Sequence, residues 1–223
     1  LWHIMKFYSH YGVNDFIICL GYKGYIIKEY FFNYSLHTSD LTIDIKKNKI
    51  QVHKNNSDPW KVTLVETGDD TMTGGRLKRV RKYLKKNETF CFTYGDGLSD
   101  VNIKKLIEFH RKNKKLATVT GVSTPGRFGV LRTKNNQVIE FLEKPKKDKT
   151  IINGGFFVLN EKVIDYIKND QSVWERDVLP SIAKANNLMV WKHEKFWQPM
   201  DTLREKNLLD QLWKSKKAPW KVW

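Results

Sequence analysis

The chain has 223 residues, a formal charge of +16, 40% hydrophobic residues and 13% aromatics, which suits one large domain, or one domain with a small appendage, around a real core. No run of about 18 apolar residues marks a membrane span, and no charged-then-apolar leader marks a secretory signal. The two cysteines, Cys19 and Cys91, sit inside apolar runs without metal-ligand spacing, so they read as small buried hydrophobes and a reducing cytoplasm is expected.

The basic excess has two readings. A polyanionic partner is one; a solvated Lys-rich surface is the other. Of the 40 basic residues, 32 are Lys and 8 are Arg. Pairs such as Lys46-Lys47, Lys85-Lys86 and Lys114-Lys115 are scattered over helix ends and turns. A specific nucleic-acid face favours Arg forks on one stripe, so neither a nucleic-acid nor a membrane partner is expected.

In chain order, Leu1 to Tyr8 reads as a helix already under way, closed by Gly12. Phe16–Leu20 is a strand, and Tyr25–Tyr34 has helical spacing. Thr42–Ile45 and Ile50–His53 suit a hairpin around Lys47-Asn48. Val62–Val65 is a strand, and Leu77, Val80 and Leu84 mark one face of a helix opened by Gly74-Gly75. Thr89–Thr93 is a strand, Ile103, Leu106 and Ile107 define a helix, and Leu116–Val122 is the next strand. Phe128–Arg132 and Val138–Leu142 flank an Asn135-Asn136 turn. Gly155–Leu159 is a strand, Val163–Ile167 a short helix, Val178–Ala185 a helix despite Pro180, Leu188–Trp191 a strand, and Thr202–Lys214 a closing helix before a Trp-rich tail. That tail suits either a core edge or a subunit contact. The alternation predicts an α/β protein: a mostly parallel, Rossmann-like sheet flanked by helices, with an added antiparallel hairpin region. No repeat or linker divides the chain.

Three constellations carry chemistry. The strand ending Tyr94-Gly-Asp-Gly97 delivers Asp96 between two glycines that permit a sharp turn and close ligand approach. Alone, this is an ordinary strand-to-loop turn. Asp201, in Phe196-Trp-Gln-Pro-Met-Asp-Thr202, reads alone as an N-cap of the closing helix. Across a cleft from Asp96 it becomes a second hard oxygen ligand for Mg²⁺, which keeps few protein ligands. Thr71-Met-Thr-Gly-Gly-Arg76 reads either as an ordinary helix start or as an anion site. In the second reading, free N–H groups at Gly74 and Gly75, the Thr71 and Thr73 hydroxyls and the Arg76 fork face a phosphate or a base. Further on, Phe141-Leu-Glu-Lys-Pro145 places Glu143 and Lys144 at a strand end, as a surface turn or a phosphate-binding charge. Ile152-Asn-Gly-Gly-Phe156 sets Asn153 and Gly154 where sugar hydroxyls could bond, and Trp174-Glu175 suits an aromatic cap and carboxylate on a sugar. P-loop, nucleophile-elbow, zincin and C-x-x-C spacings are absent, and the six histidines share no ligand spacing.

Taken in order, these pieces resemble the sugar-1-phosphate nucleotidylyltransferases, and within them the cytidylyl branch. The matching elements are Gly21-Tyr-Lys-Gly24, Asp69 to Arg79, Tyr94-Gly-Asp-Gly97, Pro125-Gly-Arg-Phe-Gly129, Glu143-Lys-Pro145, Ile152-Asn-Gly-Gly-Phe156, Trp197-Gln-Pro-Met-Asp-Thr202 and Lys217 to Trp223, spanning essentially the whole chain. The resemblance implies Mg²⁺-dependent cytidylyl transfer from CTP to α-D-glucose 1-phosphate, giving CDP-glucose and pyrophosphate for deoxysugar and O-antigen polysaccharide synthesis. It implies Asp96 and Asp201 as metal ligands and, with Lys144, as catalytic residues. Thr71, Thr73, Gly74, Gly75, Arg76 and Gly95 would serve the nucleotide. Glu143, Lys144, Asn153, Gly154 and Glu175 would serve the sugar phosphate. A homo-oligomer is implied as well.

One departure stands out. The family opens with a strand and a Gly-Gly-x-Gly-Thr-Arg loop followed by a Lys-Pro segment, and neither is in this chain. Residues 1–223 are therefore expected to form a nucleotidyltransferase domain without its first strand and Gly-rich phosphate loop, unstable or inactive alone. Thymidylyl or uridylyl transfer, and a non-catalytic sugar-nucleotide-binding subunit, are the alternatives. A nucleic-acid-binding protein, with affinity falling steeply with salt, is the reading from a different class.

Overall fold

The apolar runs become strands and the segments of helical spacing become helices. In chain order these are α1 (Trp2–His10), β1 (Asp15–Leu20), α2 (Gly24–Phe32), α3 (Tyr34–Thr38), β2 (Ser39–Asp44), β3 (Lys49–Asn55), β4 (Lys61–Glu66), α4 (Thr73–Arg79), β5 (Thr89–Phe92), β6 (Gly97–Ser99) and α5 (Ile103–Asn113). There follow β7 (Ala117–Val122), β8 (Val130–Lys134), β9 (Gln137–Leu142), β10 (Ile152–Asn153), β11 (Phe157–Asn160), α6 (Leu179–Lys184), β12 (Leu188–His193), β13 (Trp197–Pro199) and α7 (Leu203–Lys214). The computed structural model describes residues 1–123, 130–134, 137–142 and 151–223. Two units result. Leu1–Tyr11, Asn87–Val163 and Ile182–Trp223 form the larger; Gly12–Lys86 and Ile164–Ser181 form the smaller.

In the larger unit the sheet runs β10-β7-β11-β5, with β12 also on β7. Phe157, Val158 and Leu159 of β11 are fully buried, as a central strand covered on both faces requires. Strand direction is mixed rather than mostly parallel. β11 is antiparallel to both β5 and β7, and β12 is parallel to β7. Apolar periodicity does not register that difference.

Helix α5 is capped by the Asn102 side chain, which accepts from Lys105 N at 2.9 Å, and buries Ile103, Leu106 and His110. Burial holds the His110 imidazole below its usual range, and its Nδ1 lies 2.9 Å from Thr118 Oγ1. Helix α1 ends at His10 with Tyr11 as its C-cap, followed by Gly12 at φ +82, and sets the buried Phe7 and Tyr8 rings against Phe156. The Trp-rich tail covers a core edge of this same unit: Trp220 is 1% exposed and its ring stacks on Phe196. Among the described residues no helix is long and apolar enough to cross a membrane.

In the smaller unit β1 and β4 pair in parallel from Asp15↔Lys61 to Leu20↔Glu66. β2 and β3 form the expected hairpin, with Asn48 turning at φ 49. Burial pushes the Cys19 thiol up to about 11, against the opposing effect of Arg76, and in the larger unit it pushes Cys91 up to about 12. Both behave as apolar core atoms rather than thiolates at neutral pH.

Helix α4 differs from the sequence reading. Its α-helical span closes at Arg79 and a 3₁₀ turn, Arg81–Tyr83, follows. Gly74 and Gly75 lie inside its first turn, pressed against segment 170–172. The amides of Gly74 and Gly75 donate to Ser172 O at 3.0 and 3.2 Å, and Met72 N donates to Asp170 O at 2.9 Å. These donors are therefore committed within the fold and are not the open anion-binding N–H groups that the glycine pair suggests. Arg79 grips the same segment by a fork onto Asp170, at 3.0 and 2.6 Å, and that fork holds the Asp170 carboxyl below its usual range.

Gly to Ala inside a helix ordinarily stabilises by up to about 1 kcal/mol. A Cβ on Gly75 would overlap the Asp170 backbone. Gly75→Ala is therefore expected to destabilise by about 1–3 kcal/mol, the usual cost of overpacking, as read by urea unfolding. A neutral or stabilised variant would contradict this packing.

Candidate active site

Asp96 follows β5 and precedes β6, and β6 pairs antiparallel with β13. The register sets Ser99 opposite Trp197, Leu98 opposite Gln198 and Gly97 opposite Pro199. Asp96 and Asp201 therefore sit at the same end of one short ladder, although 105 positions separate them in sequence. Both line a cavity of about 240 Å³ together with Thr93, Tyr94, Asn153, Gly154, Phe156 and Trp197. The two carboxylates are exposed. Among the described residues, neither accepts a hydrogen bond or joins an ion pair.

Asp201 is not the cap of α7. Thr202 takes that position: its Oγ1 accepts from Glu205 N at 3.3 Å, while Glu205 Oε2 accepts from Thr202 N and Asp201 N at 3.0 Å. This capping box leaves the Asp201 side chain available to the cavity. Neither Gly95 nor Gly97 has a positive φ, so the turn does not need them. A Cβ on either would meet no atom within 4 Å, so the space beside Asp96 is open to a ligand. Two unpartnered carboxylates flanked by that space fit a hard cation that takes few protein ligands and completes its shell with water or phosphate oxygens. No cluster of three or more His, Cys, Asp or Glu occurs among the described residues, so a cage of protein ligands alone is not built here.

The wall opposite is the turn between β10 and β11. Asn153 ends β10, and β11 starts only at Phe157, two residues after the expected strand start at Gly155. Between them Gly155 stands at φ +72 and Phe156 at φ +44. A positive φ is costly for a bulky residue, and burial of the Phe156 ring, 1% exposed, holds it. The Asn153 side chain is tied down, with Oδ1 accepting from Gly155 N at 2.9 Å and Nδ2 donating to Tyr94 OH at 3.2 Å. Gly154 is also committed. Its N–H donates to Thr120 O at 2.8 Å and its carbonyl accepts from Trp197 Nε1 at 2.7 Å. A Cβ there would strike Val122 at 2.8 Å.

The remaining candidates lie in the smaller unit. Thr73 and Glu175, 102 positions apart, meet there: Thr73 Oγ1 donates to Glu175 Oε2 at 3.1 Å and accepts from Trp174 N at 2.9 Å. Trp174 is fully buried and offers no ring face to a sugar; its indole packs in the core instead. Thr71 is buried. The Arg76 fork donates to Leu20 O at 3.1 Å, Thr67 Oγ1 at 2.8 Å and Asp69 O at 3.1 Å, holding the ends of β1 and β4 to the loop that follows. Glu143 and Lys144, with Pro125-Gly-Arg-Phe-Gly129 and the Asn135-Asn136 turn, lie outside the described residues. Sequence reasoning missed Tyr94, Phe156 and Trp197 as wall residues, although all three sit in the segments that carry Asp96, Asn153 and Asp201.

Residues 10–209 match the nucleotidyl transferase family. Over its whole length the chain is 57% identical to glucose-1-phosphate cytidylyltransferase of Salmonella typhimurium, and it covers 87% of that protein. The figures are the same for glucose-1-phosphate cytidylyltransferase of Salmonella typhi. The fold is similar to the crystal structure of HddC from Yersinia pseudotuberculosis, with a TM-score of 0.65 at 21% identity over 95% of this chain and 84% of that one. The chain belongs to the nucleotidyl transferase family, in the group of the glucose-1-phosphate cytidylyltransferases.

Proposed function

We propose that the chain transfers the cytidylyl group of CTP to α-D-glucose 1-phosphate, forming CDP-glucose and pyrophosphate for deoxysugar units of surface polysaccharide such as O-antigen. The observation that carries this reading is identity of 57% along the entire chain, and the two carboxylates on one cavity supply chemistry that suits it. The reaction joins a sugar-phosphate oxygen to the α-phosphorus of CTP. It breaks the bond from that phosphorus to the bridging oxygen, and pyrophosphate departs with the electron pair. No covalent enzyme intermediate is needed, so catalysis is alignment of two polyanions and neutralisation of their charge.

Each residue has a part in that task. Asp96 and Asp201 would hold the cation, Mg²⁺ in this reading, whose charge offsets that of the phosphates when bound. Gly95 leaves room beside Asp96 for the nucleotide. Glu143, Asn153, Gly154 and Glu175 serve the hexose, and Gly154 acts by allowing the tight packing against Val122 that a Cβ would block, because both of its peptide groups are already bonded. Lys144 takes the sugar phosphate as a point charge. Thr71, Thr73, Gly74, Gly75 and Arg76 serve the nucleotide, the last three by fixing the start of α4 against the segments it packs on. Residues 1–223 act as one nucleotidyltransferase domain of a cytoplasmic homo-oligomer.

Pyrophosphate release measured with glucose 1-phosphate and CTP, dTTP or UTP in parallel is expected to favour CTP; equal or faster release with dTTP or UTP would overturn the cytidylyl assignment. Asp96→Asn is expected to lower kcat by at least roughly 10²-fold, the usual loss of a preorganised electrostatic group. Near-normal Mg²⁺-dependent turnover of that variant would remove Asp96 from the metal site.

A further inference from the structure

Just beyond the far end of the β6–β13 ladder, away from the cavity, lies a polar cluster for which the proposed chemistry has no use. Asp100 Oδ1 accepts from Phe196 N at 2.9 Å and lies 2.9 Å from His193 Nε2. The same Nε2 is 3.0 Å from Phe196 O. Ser99 Oγ donates to that carbonyl at 2.8 Å, and Asp100 N donates to it at 3.3 Å. Since Nε2 faces two acceptors, it carries the proton. The side chains of His193 and Asp100 are 8% and 21% exposed. Partners withdrawn from water are costly to leave unpaired, so the cluster resists rearrangement.

We infer that Asp100 and His193 are positioning residues: they clamp the Phe196 peptide, fix the register of β6 on β13, and so set Asp201 beside Asp96. The inference rests on reading those two carboxylates as the metal pair. A two-stranded ladder of three residues each is marginal by itself, and a slip of one residue would turn alternate side chains to the opposite face. Phe196 is held from both sides. Its peptide is bound by Asp100 and His193, and its ring stacks on the buried Trp220 with centroids 5.5 Å apart. His193 in turn ends β12, where it pairs with Val122 of β7, so the clamp refers the ladder to the main sheet. Neither Asp100 nor His193 lines the cavity.

Hydrogen exchange of the full chain, followed by mass spectrometry, separates positioning from general stabilisation. In His193→Phe, amides of 97–99 and 196–198 are expected to exchange at least about tenfold faster while those of β7 and β11 keep their wild-type rates, because local opening is freed and global opening is not. Turnover at saturating Mg²⁺ falls in the same variant. His193→Gln, which returns an N–H donor near the Nε2 position, recovers most of both. Unchanged exchange in the ladder, or equal acceleration in β7 and β11, overturns the inference. If His193→Phe does not fold, Asp100→Asn is read by the same criterion. A wild-type protein without cytidylyl transfer would defeat the functional reading alone; the exchange data would still decide whether the clamp sets the ladder.

Discussion

On the proposed reading, the metal site of this protein depends on three residue pairs between Gly97–Ser99 and Trp197–Pro199. The segments are separated by about a hundred positions, and only their antiparallel pairing sets Asp96 and Asp201 at one end of a shared ladder. So short a ladder cannot hold itself. It is held by side contacts: Trp197 reaches Gly154 O through its indole N–H, Phe196 stacks on Trp220, and the Phe196 peptide is bound by Asp100, His193 and Ser99. The consequence is a site whose two charged groups are set by the neighbouring core rather than by their own hydrogen bonds. The Trp197 tether also links the wall at Gly154 to the strand that delivers Asp201, so both sides of the cavity share one support.

The candidate residues divide by what their polar groups already do. Gly74, Gly75, Arg76, Asn153 and Gly154 bond to backbone or neighbouring side chains, which makes them parts of the frame. Asp96 and Asp201 keep their carboxylates open, and Gly95 and Gly97 keep the space beside Asp96 empty of protein atoms. For a reaction between two phosphates this division is physically sensible. A rigid frame reduces the reorganisation that accompanies charge neutralisation, and open hard-oxygen ligands leave coordination positions for substrate.

The strands around Phe16–Leu20, Val62–Val65 and Leu188–Trp191 and the helices at α5 and α7 were legible because apolar spacing reports burial directly. Strand direction in the larger unit was not, since β11 reads the same whether its neighbours run with or against it. The Gly74-Gly75 pair was legible as a special backbone site, but not its partner. A glycine signals close approach without saying whether a ligand or the chain itself approaches, and here it is the backbone of Asp170 to Ser172. Asp201 was ambiguous between cap and ligand until Thr202 and Glu205 closed the capping box on their own. Trp174 looked like a sugar platform by residue type, and tertiary packing put it in the core. The Asp100–His193 pair had no sequence signal at all, because nothing in the spacing of six scattered histidines marks which one meets a carboxylate.

The central claim is that Asp96 and Asp201 act as one metal site because the ladder joins them. Mn²⁺ binding in the presence of CTP, followed by loss of the free-ion paramagnetic signal, tests it on wild type, Asp96→Asn, Asp201→Asn and the double variant. Each single change should weaken binding by at least the roughly tenfold that loss of even an outer-shell partner brings, and the double variant should be little worse than either, as expected for residues that act as a unit. Wild-type affinity in Asp201→Asn would contradict the account.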